Sequence, residues 1–351
     1  MPHLQVTSRR QHPLWQLTLM RWRIFVREPA AVFWTYGFPV LLALALGIAF
    51  RNRPPEPVEV AVQAGPGAEA WRDALAQNPA VHVRWLDAQE ARDALRIGKV
   101  SVVVVSGQSR VYEFDPTRPE SRMARAIVDD ILQRAEGRAD PTPVKDQLVT
   151  EPGSRYIDFL VPGLLGFNLM SSGMWGVGFV IVEMRVRKLI KRMTATPMCR
   201  THFLLSFVLV RAVFLLGELP LLLAFAHWVF DVPIRGSLVL IAAYSALGSL
   251  VFAGLGLLVG CRAQNTQTVA GLVNLVTLPM AICSGVFFSA ARFPDVVQPL
   301  IQALPLTALI EGVRAVMLSG AGAAGLVHCT VILLIWGAVS FALALRLFRW
   351  Q

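Results

Sequence analysis

The stretch Phe159–Val182 reads FLVPGLLGFNLMSSGMWGVGFVIV, and the basic segment Glu183–Pro197, EMRVRKLIKRMTATP, follows it directly. The first stretch carries no charged side chain. Because roughly 20 residues of helix cross the hydrocarbon core of a bilayer, this length predicts a transmembrane helix. The basic segment predicts a cytoplasmic end, because Lys and Arg accumulate in cytoplasmic loops.

Similar apolar runs recur along the chain. The 351 residues are 55% hydrophobic and 16% charged, whereas soluble domains average about 45–50% and about 25%. Since open strand edges cannot be satisfied in lipid, the runs predict helices. We therefore expect a polytopic α-helical membrane protein with six transmembrane helices, which are Ala30–Phe50, Phe159–Val182, Phe203–Phe230, Leu238–Val259, Val269–Phe288 and Ala324–Leu345.

The segment 51–155 is hydrophilic and carries 15 Lys/Arg against 16 Asp/Glu. Alternating apolar residues predict strands, and helix-like runs fill the gaps between them. The order β-α-β-α-β-β-α predicts a small α/β domain inserted after the first span. Its paired carboxylates, Asp129 and Asp130, are interpreted as a solvated helix face rather than a catalytic pair. The predicted strands are Val58–Val62, Val81–Trp85, Val100–Val105 and Arg110–Phe114, and the helices are Ala68–Leu75, Ala88–Ile97 and Glu120–Ala135.

The basic residues outside 51–155 lie mainly beside one set of span ends. Long loops cross a membrane largely regardless of charge, so 51–155 is left out of this comparison. The bias predicts an inner-membrane protein with both termini cytoplasmic and 51–155 outside. The predicted parts are an amphipathic interface helix (1–29) ended by Pro29, a first span (30–50), the extracytoplasmic domain (51–155), and a bundle (156–351) with a cytoplasmic loop (183–202) and outer short helices (289–323).

No motif for independent chemistry is present. The Gly98-Lys99 pair is followed by Val100, so a P-loop is missing. The four cysteines have no metal-type spacing. The net charge of +10 sits beside the spans, which favours positive-inside flanks over nucleic-acid binding. We expect no nucleotide, cofactor, metal or nucleic acid bound by this chain, and no enzymatic activity of its own.

Polar groups inside the spans are candidates for function, because burying them is costly. The third span contains Arg211 and Glu218. Glu218 either lines a pathway or makes a hydrogen bond within the bundle, and the second reading is favoured. Arg211 is expected to extend to the cytoplasmic interface. In the fourth span, Gly256 and Gly260 predict close helix packing.

Ser289–Ala323 is too polar to span the membrane, and prolines divide it. We expect short helices on the outer leaflet or dipping into it, with a packed loop as the alternative. The candidate residues of this element are Pro305, Thr307, Glu311 and Arg314.

Three local patterns carry a family resemblance. They are Arg27-Glu28-Pro29 leading into a span with Pro39, the segment Glu183–Pro197 with its terminal Thr-Pro, and Ser284–Phe288 followed by Leu304–Thr307. In this order and on this topology, the chain resembles the type-2 permeases of ATP-binding-cassette (ABC) exporters, and the likeness covers essentially the whole chain. The family's usual Gly-Thr in the loop is here Lys188-Leu189, and an acidic residue is replaced by Lys191.

The resemblance implies a cytoplasmic ABC ATPase partner that holds ATP and Mg²⁺, and a second permease copy, with a homodimer expected. A short amphipathic loop can pass a partner's movement into the bundle, although its charges are equally suited to fixing topology and contacting anionic lipid. The candidate coupling residues are Glu183, Arg185, Arg187, Lys188, Lys191, Arg192, Thr196 and Pro197.

Two functions follow from this reading. The first is export of a lipophilic or lipid-linked substrate, driven by ATP hydrolysis on the partner. The alternative is a non-transporting subunit that transmits ATPase motion to the outer domain and an extracytoplasmic protein. Apolar walls with few charges are the reason for expecting a lipophilic or lipid-linked substrate.

Overall fold

The computed structural model describes residues 13–49, 57–105, 110–139, 142, 155–194 and 200–347. The chain divides into two compact units, residues 1–51 with 150–351 and residues 52–149. The first unit begins with helix α1 (Pro13–Val26) and the first span, TM1 (Pro29–Ala49). The sequence predicted that Pro29 ends α1, but α1 already ends at Val26. Pro29 is the first residue of TM1, where proline's missing N–H costs nothing.

The second unit has the predicted order β-α-β-α-β-β-α. Strands β2, β1 and β3 are parallel in that spatial order, and β4 pairs antiparallel with β3. Helices α2 and α4 share one apolar core with the sheet, and α3 contributes to a second. The elements are β1 (Val58–Gln63), α2 (Ala68–Ala76), β2 (Val81–Leu86), α3 (Ala88–Arg96), β3 (Val102–Val105), β4 (Val111–Glu113) and α4 (Pro119–Ala135).

The two neighbouring carboxylates of α4 engage different partners. Asp129 accepts a hydrogen bond from the Tyr112 hydroxyl at 3.0 Å. Asp130 accepts one from Arg134 at 2.8 Å, and a second basic partner is Arg138. The hydrogen bond from Arg134 holds the pKa of Asp130 below its usual value. These contacts support the interpretation that Asp129 and Asp130 belong to a partly solvated face of α4 with local ion pairs.

The rest of the first unit is helical. Its elements are TM2 (Tyr156–Val186), α5 (Leu189–Thr194), TM3 (Arg200–Phe230), TM4 (Leu238–Gly260), TM5 (Thr266–Cys283), α6 (Gln298–Gln302), α7 (Pro305–Ser319) and TM6 (Ala323–Leu347). Among the described residues, six helices are long and apolar enough to cross a membrane, which confirms the predicted six-helix architecture. TM5 ends earlier than expected, because Gly285 has a φ of 76° and terminates the helix.

TM2 and TM4 approach each other backbone to backbone. A Cβ added to Gly178 would lie 2.6 Å from the carbonyl oxygen of Gly256, and one added to Gly260 would lie 2.7 Å from that of Gly178. Only glycine permits this separation. The predicted packing face of TM4 is therefore confirmed, and its partner is TM2.

The second half of the segment between TM5 and TM6 is deeply buried. Helix α7 lies in the main core, with Leu306, Leu309 and Val313 fully enclosed. It meets the short helices before it at a bend of 81°. Helix α7 therefore dips inward, which is one of the arrangements expected for this segment, whereas Val296 and Leu300 before it are exposed.

Candidate functional site

A cavity of about 1140 Å³ lies between α1, TM1, TM2 and TM3 and reaches the start of α5. We call it the TM1–TM3 cavity. Its walls on TM2 extend from Leu164 to Met184, which is about 30 Å at the rise of an α-helix. The cavity therefore extends over a length similar to the hydrocarbon core of a bilayer, roughly 30 Å. Its residues all belong to the first unit.

Two π-helical segments face this cavity. One is Phe33–Gly37 in TM1, and the other is Met174–Phe179 in TM2. Each places a tryptophan on the cavity wall, Trp34 and Trp175. Segments of this kind are rare and frequently occur at functional sites. Both are signalled only by aromatic and glycine residues within an apolar run, and the sequence analysis missed them.

A buried polar network forms part of the wall. Asn168 of TM2 donates to a carboxylate oxygen of Glu218, and its Nδ2 lies 3.4 Å from the carbonyl oxygen of Thr35. The other carboxylate oxygen of Glu218 lies 2.8 Å from Nη2 of Arg211. Arg211 and Glu218 are 3% and 2% exposed. Glu218 thus makes the expected hydrogen bond within the bundle, and the network joins TM1, TM2 and TM3.

The sequence predicted that Arg211 extends to the interface, but the side chain is buried within the bundle. TM3 begins at Arg200, so Arg211 lies about 16 Å along the helix. A buried charge is costly unless it is paired. Glu218 lies on the same face of TM3 and pairs with Arg211. Arg211 and Asn168 both line the cavity, whereas Glu218 lies behind them.

Arg21 fastens α1 to TM3 at the wall of the cavity. Its Nε donates to the Ser206 hydroxyl at 3.1 Å, and its guanidinium carbon lies 3.4 Å from the centroid of the Phe207 ring. Burial lowers the pKa of Arg21 to about 9, so the side chain remains protonated at neutral pH. The aromatic face compensates in part for the lost hydration.

The predicted coupling loop is a helix–turn–helix corner. TM2 ends near Arg187, Lys188 adopts a left-handed φ of 57°, and α5 follows. Ile190 is 2% exposed and packs inward with Leu189, so α5 is amphipathic. A left-handed conformation is strained for residues other than glycine, so glycine would suit this turn better than Lys188 does.

The charged residues of this corner have different environments. Glu183 and Arg187 form an ion pair at 2.6 Å. Lys188, Lys191 and Arg192 are exposed. The remaining predicted coupling residues, Thr196 and Pro197, lie outside the described residues.

Arg185 points into the protein. It donates to the carbonyl oxygens of Gly260, Cys261 and Ala263 at 3.0, 3.0 and 2.6 Å. These groups end TM4 and begin the loop to TM5, where carbonyls have no partner within the helix. Arg185 therefore joins the end of TM2 to the TM4–TM5 loop, and we do not include it among the residues offered to a partner.

The candidate residues on α7 have different environments in the structure. Pro305 starts the helix and Thr307 is buried. Arg314 donates to the carbonyl oxygens of Phe159 and Gly285 at 3.2 and 3.1 Å. Glu311 is exposed, and within the described ranges no ion pair joins it to Arg314. Arg314 thus fastens α7 to TM2 and to the turn after TM5.

Known proteins resemble this chain over most of its length. Residues 29–346 match the family described as ABC-2 family transporter protein. The ABC transporter G family member 20 of Dictyostelium discoideum is 27% identical over 56% of this chain and 27% of its own length. The probable multidrug ABC transporter permease YbhS of Escherichia coli K12 is 27% identical over 60% of this chain and 57% of its own. The linearmycin resistance permease protein LnrN of Bacillus subtilis is 24% identical over 50% and 46%.

The chain covers between about a quarter and three fifths of the length of these relatives. The match to the family itself is much longer, since it includes the first five spans, the segment between TM1 and TM2, and all of TM6 but its last residue. With its six apolar helices and small sheet-containing unit, the chain belongs to the ABC-2 family of transporter permeases.

Proposed function

We propose that this chain is the membrane-spanning subunit of an ABC exporter that moves a lipophilic substrate out of the cytoplasm. The TM1–TM3 cavity is the observation that carries the proposal. Ligand sites typically have volumes of about 300–1,000 Å³ and are mainly apolar with a few polar groups. A cavity of about 1140 Å³ with one buried polar network fits that description.

In this proposal the energy comes from a separate cytoplasmic ATPase that binds ATP and Mg²⁺. The exposed cations of the corner, Lys188, Lys191 and Arg192, are the proposed docking contacts, because they can pair with acidic groups on a partner. The corner continues directly into TM2 and hence into the cavity wall. Arg185 extends the connection to the TM4–TM5 loop.

The proposed assembly is a homodimer in the inner membrane, since two ATPases need two docking corners. Both termini and the corner are on the cytoplasmic side, and the unit 52–149 is outside. The basic flanks support this orientation. Contact with anionic lipid is expected at the same flanks.

The test uses the permease reconstituted in vesicles with the ATPase that co-purifies with it. We expect ATP-driven substrate flux, and loss of both flux and substrate-stimulated hydrolysis when Lys188→Glu and Arg192→Glu are combined. The matched control is Arg292→Glu, an exposed charge on the proposed outer side. Unchanged hydrolysis in the double variant would contradict the docking assignment.

The same experiment separates export from transmission. If ATP drives movement of the unit 52–149, reported by a label on the exposed Ile97 position, while no candidate substrate crosses the vesicle, the chain is a transmitter. The size of the TM1–TM3 cavity favours export, because transmission requires no space within the bundle.

A further inference from the structure

The TM1–TM3 cavity is apolar over much of its length. Trp34, Phe38 and Leu42 line it on TM1, and Phe167 and Trp175 line it on TM2. The length of the cavity along TM2 is similar to that of an extended lipid acyl chain and exceeds that of a compact solute. An apolar tail is therefore the kind of group this part of the cavity accommodates.

The charge on the cavity is positive. Arg187 is neutralised by Glu183 at 2.6 Å. Two further lining arginines, Arg21 and Arg192, have no ion pair in the described part of the chain. Among the described lining carboxylates, Glu28 has no ion pair either. The cavity thus presents more cationic than anionic groups.

Arg211 has unused hydrogen-bonding capacity. Although Nη2 is close to Glu218, neither Nε nor Nη1 has a hydrogen-bond partner among the described residues, and both are buried. A guanidinium offers five N–H donors, and leaving them unmet in a buried site is costly. Both arginines line the cavity, and the ring that stacks with Arg21, that of Phe207, lies one helical turn from Arg211.

A second copy of the chain is poorly suited to supply the missing acceptor from within the membrane. TM1, TM4, TM5 and TM6 contain no Asp or Glu, and the carboxylates of TM2 and TM3 are paired with arginines of their own chain. A ligand that carries its own anionic group can supply the acceptor for Arg211.

We propose that the TM1–TM3 cavity binds an anionic amphiphile, with its phosphate or carboxylate head between Arg21 and Arg211 and its apolar tail along TM1 and TM2. This inference rests on the proposed export function and specifies its substrate class. The ligand is a membrane-partitioning molecule, not a free anion, because the polar groups occupy only part of a long apolar cavity.

The test measures equilibrium binding of radiolabelled dodecyl phosphate to the full chain in nanodiscs of neutral lipid, with empty nanodiscs subtracted. Dodecyltrimethylammonium and inorganic phosphate serve as competitors. We expect saturable binding that neither competitor displaces at equal concentration. Preferential displacement by the cation, or displacement by inorganic phosphate as efficient as by unlabelled dodecyl phosphate, would overturn the proposal.

The variants remove charge without leaving an unpaired carboxylate. Arg211→Gln combined with Glu218→Gln keeps the network neutral, and Arg21→Gln tests the second cation independently. Each is expected to weaken dodecyl phosphate binding about tenfold or more, because charged hydrogen bonds are lost. Arg292→Gln is the matched control and should bind as the unchanged chain does. Equal affinity in all variants would refute the site even if the double variant folded poorly, because Arg21→Gln stands alone.

Binding and transport can fail separately. If dodecyl phosphate does not bind but ATP-driven flux of a neutral or cationic compound is observed, the export function stands and the substrate class is wrong. If it binds in an Arg21-dependent manner and no flux of any compound occurs, the site stands and the export function is wrong.

Discussion

Arg185→Met should release the end of TM4. Methionine keeps an apolar stem of similar length and removes all three hydrogen bonds that the guanidinium donates to Gly260, Cys261 and Ala263. If each contributes about 1 kcal/mol net, the loss is about 3 kcal/mol. At 1.4 kcal/mol per tenfold change, the local opening equilibrium at the end of TM4 should rise by about two orders of magnitude.

The chain contains its own reporter of this opening. The Cys261 thiol is only 2% exposed, and its carbonyl oxygen accepts one of the three hydrogen bonds. In a background where the other cysteines are replaced, the rate at which a thiol reagent labels Cys261 reports the local opening. We expect that rate to increase about a hundredfold in Arg185→Met.

Arg187→Met is the matched control, two residues away. It removes one surface ion pair, with Glu183, and pairs of this kind contribute about 0–1 kcal/mol. Its labelling rate should change less than about fivefold. Equal rates in the two variants would show that the three hydrogen bonds do not hold the loop, and the assigned role of Arg185 would have to be abandoned.

Three further predictions concern stability, each measured by thermal unfolding of the purified chain. Lys188→Gly should stabilise it by about 1 kcal/mol, because the left-handed φ of 57° is relieved; a decrease in stability would argue against that turn geometry. Gly256→Leu should abolish the folded protein, because TM2 occupies the space, whereas Gly271→Leu, with open space around it, should be tolerated. Arg314→Met should destabilise by about 2 kcal/mol through the two lost carbonyl contacts, and the exposed Glu311→Ala should change little; similar effects of both would indicate that Arg314 does not fasten α7.

The sequence predicts the elements of this chain well because the membrane imposes length and composition directly. Six apolar runs become six helices, and alternating residues in the second unit become its strands. The Gly256 and Gly260 pair also indicates a packing face without further information. In each of these cases the signal lies in residues that are close together in the sequence. The prediction therefore does not depend on how the helices pack in the fold.

The orientation of the arginines could not be predicted in the same way. Arg185 and Arg187 are two residues apart in one basic segment, yet one caps TM4 and the other forms a surface ion pair. Arg211 is similarly ambiguous, because extension to the interface and pairing with Glu218 are both compatible with its position in the sequence. Only the packing of neighbouring helices decides between these alternatives.

The π-helical segment Met174–Phe179 sets the rotational phase of TM2. An α-helix turns about 100° per residue, and a π segment commonly contains one residue more than the α-helical turn it replaces. Deleting one residue here would rotate everything after it relative to Asn168. The helix could then present either Asn168 to the cavity or Arg185 to TM4, but not both. The single extra residue therefore allows one continuous helix to line a cavity at one end and fasten the TM4–TM5 loop at the other.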